Sequence, residues 1–177
     1  MINPFYEKLA KLAVKYSIGV KKGDRISIRG PSFAQELIQA LYVEVINAGG
    51  FPLLVISLEG EEELLFKYGS DEQLVYVDDV FLKISEEFDG LIYISGDYNT
   101  RNLSLINPKT MAKFQAAPKR KKMYDIIDER FAKGELKWVI VPFPCQSHAQ
   151  EANMDLFSFT NFIEKALLLD KDDPAEE

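Results

Sequence analysis

The stretch "RISIRGPSFAQELIQALYVEVINAGGFPLLVISL", residues 25–58, decides the fold. Residues 25–30 are a short β-rich run that ends at Gly30-Pro31. Phe33, Leu37, Leu41 and Val45 then recur at helical spacing, one apolar stripe of an amphipathic helix. Ser32 and Gln35 have capping-box spacing, in which each side chain satisfies an orphan N–H on the other's backbone, so the helix is predicted to start there. Gly49-Gly50 stop it. Residues 51–58, "FPLLVISL", are nearly continuous apolar, as expected of a strand covered on both faces. Strand, helix and strand in that order predict a βαβ unit with two parallel strands and a right-handed crossover.

The pattern extends outward from this unit. Phe5, Leu9, Leu12, Ala13 and Tyr16 give residues 3–18 one buried helical stripe, closed near Gly19. Downstream, "GEEELLFKYG" reads as a short helix. "SDEQLVYVDDVFLKISEEF" reads as a longer one, opened by a second capping box at Ser70 and Gln73. Leu74, Val77, Phe81, Ile84 and Phe88 form its apolar face. Residues 89–96 are a third strand, and Asn107-Pro108 has the form of an N-cap followed by a first-turn proline. Helical pattern runs on to about Lys133, with Pro118 bound to kink or break it. Residues 137–144 are a fourth strand, ended by Pro142 and Pro144, and a last helix covers 156–169. Strands alternating with helices predict an α/β fold, a Rossmann-like open and mostly parallel sheet of four or more strands flanked by helices. Residues 1–169 read as one domain and 170–177 as an acidic tail or the start of a linker.

Composition narrows the function classes. The chain has 177 residues, 47% hydrophobic and 28% charged, the profile of a soluble globular domain. No apolar run approaches the ~18 residues of a membrane span. The N-terminus lacks the apolar core and cleavage site of a secretory signal. One cysteine, Cys145, permits no internal disulfide. A cytoplasmic protein is the plain reading. The formal net charge of −7 argues against nucleic acid. The one basic cluster, Lys119-Arg120-Lys121-Lys122, reads as a solvated helix face.

Candidate chemistry is sparse. The turn after the first strand, "RGPSFAQE", has one glycine and a proline that cannot donate, so the dinucleotide fingerprint is missing. A P-loop is also absent. Cys145 and the single histidine, His148, lie three apart, and Glu151 follows. They read as a loop cysteine and a loop or cap histidine; the alternative is a metal-dependent hydrolase site built on Cys145, His148 and Glu151. The acidic run Glu59 to Glu63 suits a helix N-terminus better than a metal site. The best site candidate is "SGDYNTRNLS", at the carboxyl end of the third strand, where open α/β sheets place ligands. Asn99, Thr100 and Arg101 offer donors there, and Arg101 has the fork to grip a carboxylate.

Four stretches together carry a family resemblance. They are "YEKLAKLAVKYSIGVKKGDRISIRGP", "ALYVEVINAGGFPLLV", "GDYNTRNLSLINPKTMAKFQAAPKRKK" and "KWVIVPFPCQSHAQEANMDLFSFTNFIEKALLLDKDDP". In order and kind they resemble the N-terminal domain of the dinuclear metalloaminopeptidases of the aminopeptidase T, aminopeptidase S and thermophilic aminopeptidase II type. Asn107-Pro108 stands where that family has Asp-Pro, and Met154-Asp155 where Met-Ser is usual. The resemblance implies an N-terminal α/β domain followed by a second, catalytic domain. That second domain holds two divalent ions, zinc or cobalt, and the catalytic groups. It implies no catalytic residue, no metal ligand and no cofactor in this chain. It also implies a fragment or isolated domain whose partners are its own C-terminal catalytic domain, peptide substrates and, in a homodimer, a second copy. Its role would be to help enclose the active-site cavity. The alternative is a stand-alone Rossmann-like domain that binds a small ligand without catalysis. An apolar patch prone to self-association is expected on its surface.

Overall fold

The computed structural model describes residues 2–171, so most of the predicted acidic tail lies outside the described residues. Four parallel strands form one open sheet, β1 (Arg25–Pro31), β2 (Phe51–Ser57), β3 (Gly90–Ser95) and β4 (Lys137–Pro142), in the order β2-β1-β3-β4. The fold is therefore α/β with an all-parallel sheet flanked by helices.

Side-chain alternation in the inner strands builds two cores. On one face Ile26, Ile28, Ile92 and Ile94 pack under α1 (Pro4–Lys11), its π-helical continuation Leu12–Ser17, and α2 (Gln35–Asn47). On the other face Leu91 packs with Ile84 and Phe88 beneath α5 (Asp79–Glu87) and with Met123 and Ile127 of α7 (Pro118–Ala132). Arg29 also points to this second face, its guanidinium 5.1 Å from the Phe81 ring centre and 5.6 Å from that of Tyr93. Among the described residues no helix is long and apolar enough to cross a membrane.

The remaining helices are α3 (Glu61–Tyr68), α4 (Asp71–Val75), α6 (Pro108–Gln115), α8 (Gln146–Glu151) and α9 (Leu156–Ala166). Several caps follow the sequence closely. Ser70 and Gln73 form the capping box of α4, with Ser70 Oγ accepting the Gln73 N–H at 3.3 Å and Gln73 Oε1 accepting the Ser70 N–H at 2.7 Å. Asn107 caps α6 through Oδ1, and Pro118 opens α7 after a clean break.

Four local expectations are corrected. Ser32 caps nothing, because β1 runs on through Pro31 and a 3₁₀ turn over Ser32–Ala34 leads into α2 with Ala34 as N-cap. The helix expected over residues 70–88 is two helices, because Tyr76, the α4 C-cap, and Asp78, the α5 N-cap, are both extended. Asp78 Oδ1 accepts the Val80 N–H at 2.9 Å and restarts the helix. Residues 146–151 form a short helix rather than a loop. Finally, β2 is not covered on both faces: it is an edge strand, with Phe51 65% exposed and Leu54 and Ile56 each 40% exposed.

Candidate functional site

The chain leaves β1 for one side of the sheet, to make β2, and returns to the other side to make β3. The loops after β1 and β3 therefore diverge at the carboxyl edge, which opens a crevice at this switch point. Pro31 and Phe33 line it from β1, Gly96, Asp97, Tyr98 and Asn102 from β3, and Ser57 through Glu63 from β2 and the start of α3. Gly96 packs closely here: a Cβ at this position would sit 3.3 Å from Phe143 Cβ. Gly60, at φ +80°, turns the chain into α3 and sets Glu61, Glu62 and Glu63 in its first turn. Glu61 Oε2 accepts the Leu58 N–H at 3.0 Å.

The crevice is acidic. Partial burial lifts the Glu62 carboxyl above its ordinary range, and the carboxylates of Glu63, Glu61 and Asp97 push the same way against Arg120. The expectation of a helix N-terminus for residues 59–63 thus describes the local structure. That these side chains would wall a crevice depends on strand order, which one segment does not reveal.

Two separate sequence candidates meet on one rim. Asp97 Oδ2 lies 3.0 Å from His148 Nε2. Thr100 Oγ1 donates to Glu151 Oε1 at 2.9 Å, and Arg101 Nε is 3.5 Å from the same oxygen. Ser147 Oγ donates to the Asp97 carbonyl, and Cys145 Sγ is 3.4 Å from Ser147 Oγ. The polar loop after β3 is therefore clasped by α8, the helix after β4. Asn99 Oδ1 accepts the Arg101 N–H at 3.0 Å and shapes the loop locally. Thr100 and Arg101 face Glu151, while Tyr98 and Asn102 face the crevice. The arginine side chain remains 78% exposed.

The same contacts bear on metal chemistry. His148 is engaged by Asp97, Glu151 by Thr100 and Arg101, and Cys145 is buried against Ser147. Among the described residues no three His, Cys, Asp or Glu side chains are placed to hold a metal ion, so these residues do not fit a metal centre. The basic run at the start of α7 is partly spent on the fold itself. Lys119 Nζ is 2.5 Å from Asp79 Oδ1, and Arg120 lies 3.9 Å from the Phe114 ring centre while donating to the Phe114 carbonyl.

A family model described as thermophilic metalloprotease (M29) matches residues 3–177. The chain belongs to the M29 family. Wild-type AmpT from Thermus thermophilus has a similar fold, with a TM-score of 0.73 at 18% sequence identity. The match covers 92% of this chain and 42% of that one, so this M29 chain spans well under half the length of the solved structure. No curated protein sequence matches it.

Proposed function

We propose that this chain is the N-terminal, non-catalytic domain of a cytoplasmic metal-dependent aminopeptidase that releases N-terminal residues from peptides. The observation that carries this reading is the unequal coverage: almost all of this chain aligns with less than half of AmpT. In this reading 1–169 is the domain and 170–177 begins the connection to a catalytic domain that holds two divalent ions, zinc or cobalt. The domain helps enclose the active-site cavity, and the parent works as a homodimer.

Within that arrangement Asn99, Thr100 and Arg101 are the proposed substrate contacts. Asn99 holds the loop, Thr100 is oriented by Glu151, and Arg101, paired with the same carboxylate, leaves most of its side chain exposed at the rim. The crevice itself holds about 130 Å³, short of the roughly 300–1,000 Å³ of small-molecule pockets.

The test is hydrolysis of a leucyl chromogenic substrate by the purified 177-residue chain with cobalt or zinc added. The expected result is no activity. Metal-dependent turnover that follows the protein peak through chromatography would overturn the reading.

A further inference from the structure

Five arginines occur in the chain, and the protein itself supplies acceptors for four of them. Arg25 pairs with Glu87 at 2.8 Å and Arg101 with Glu151 at 3.5 Å. Arg120 donates to the Phe114 carbonyl, and Arg130 to the carbonyls of Ser85 and Phe88. Arg29 is different. Its Nε and Nη2 are both buried, and neither has a hydrogen-bond partner among the described residues. These two nitrogens share one side of the guanidinium, where their N–H bonds run parallel, the geometry that a carboxylate matches with its two oxygens.

The surroundings leave that charge unanswered. β1 sets Arg29 in register with Tyr93 of β3, and α5 brings Phe81 to it, with ring centres 5.6 and 5.1 Å from the guanidinium. Aromatic faces attract a cation, but they accept nothing from N–H groups in the plane of the fork. Arginine does not lose its proton in a protein, and a buried charged donor without an acceptor is costly. Burial raises the Tyr93 pKa while the Arg29 charge opposes it, so the phenol is neutral at physiological pH and is no counter-ion. Tyr124 also acts on that phenol and is 51% exposed, and Arg29 as a whole is only partly buried, so the group borders the surface.

We propose that Arg29 and Tyr93 form a binding site for a single carboxylate, held side-on by the Nε and Nη2 donors with the Tyr93 hydroxyl beside it. One guanidinium offers one positive charge in a chain of net charge −7, which favours a monoanion over a phosphate dianion. Neighbouring side chains shield the Nε–Nη2 edge, so binding turns the end of the Arg29 side chain toward the surface. A small free acid and the C-terminus of a peptide present this same carboxylate. The site shares no residue with the crevice at the carboxyl edge and does not depend on the peptidase reading.

Proton–nitrogen NMR of the unmodified chain tests it at the Arg29 Nε–H, a signal identified by its loss in Arg29→Lys. The expected result is a saturable downfield shift as sodium acetate replaces sodium chloride at a constant ionic strength of about 0.15 M. Thermal melts over the same exchange should show Tm rising by roughly 3–5 °C at tenfold excess over Kd. Arg29→Lys keeps the charge without the fork and should weaken this acetate effect about tenfold. Arg29→Met removes the unmatched charge, so it should melt at or above the unmodified chain in chloride and show no acetate response. A short peptide blocked at its N-terminus separates the two sources. A free-acid form that acts at much lower concentration than acetate assigns the site to a peptide C-terminus, and equal potency assigns it to a small acid. An Nε–H signal that does not move, an acetate response that survives in Arg29→Met, or a peptide carboxamide as effective as the free acid would each overturn the proposal.

Discussion

Asp97 Oδ2 lies 3.0 Å from His148 Nε2, and this contact ties the loop after β3 to the helix after β4. The two residues are 51 positions apart, and His148 is the only histidine in the chain. The link is half in water, with the Asp97 side chain 61% exposed and that of His148 23% exposed. A double-mutant cycle with Asp97→Ala and His148→Ala is expected to give a coupling of about 0.5–1 kcal/mol by urea unfolding. Ser147→Ala should cost more, about 1–2 kcal/mol, because its buried hydroxyl holds the Asp97 carbonyl.

Two serines with the same sequence signature should behave differently. Ser70→Ala removes a formed capping box and is expected to destabilise by about 1 kcal/mol. Ser32→Ala removes no cap, since α2 begins after a 3₁₀ turn, and should change stability by less than about 0.5 kcal/mol. Parallel denaturant titrations of the two variants check the contrast.

Gly30 is required for packing rather than for an unusual backbone. A Cβ there would stand 2.8 Å from Ile94 Cβ and 2.9 Å from Ile94 Cδ1, where β1 and β3 run side by side. Gly30→Ala is expected to cost about 1–3 kcal/mol through overpacking. The urea midpoint should fall while the slope stays the same.

Glu62 should impose a pH-dependent cost on folding. Burial and its acidic neighbours hold the folded-state pKa above the ordinary 4.5. The penalty is absent below 4.5, grows as pH rises through that value, and is complete above the folded-state pKa. Glu62→Gln should therefore stabilise the protein at neutral pH and leave it unchanged near pH 4. After allowance for solvent screening the gain is about 0.5 kcal/mol, or roughly 1–2 °C in Tm. Thermal melts of both proteins across that pH range check the sign.

By itself the sequence determined the four strands, most of the helices and the α/β class. The reason is that these signals are local. A capping box such as Ser70 with Gln73, an Asn107-Pro108 start and the apolar stripe Phe33, Leu37, Leu41, Val45 each act within a few residues of backbone. The polar stretch 95–104 was legible as a loop at the carboxyl edge for a similar reason, because it directly follows a strand.

Tertiary structure decided the rest. An apolar run such as Phe51–Ser57 serves an inner or an outer strand equally well, and only the order β2-β1-β3-β4 made it an exposed edge. The break between α4 and α5 follows from the Asp78 cap winning over a continuous helical stripe. Asp97 met His148, and Thr100 met Glu151, because β3 and β4 lie side by side and carry their following segments to the same edge. Strand adjacency comes from burial of whole sheet faces between two helical layers, a long-range free energy that no single segment contains.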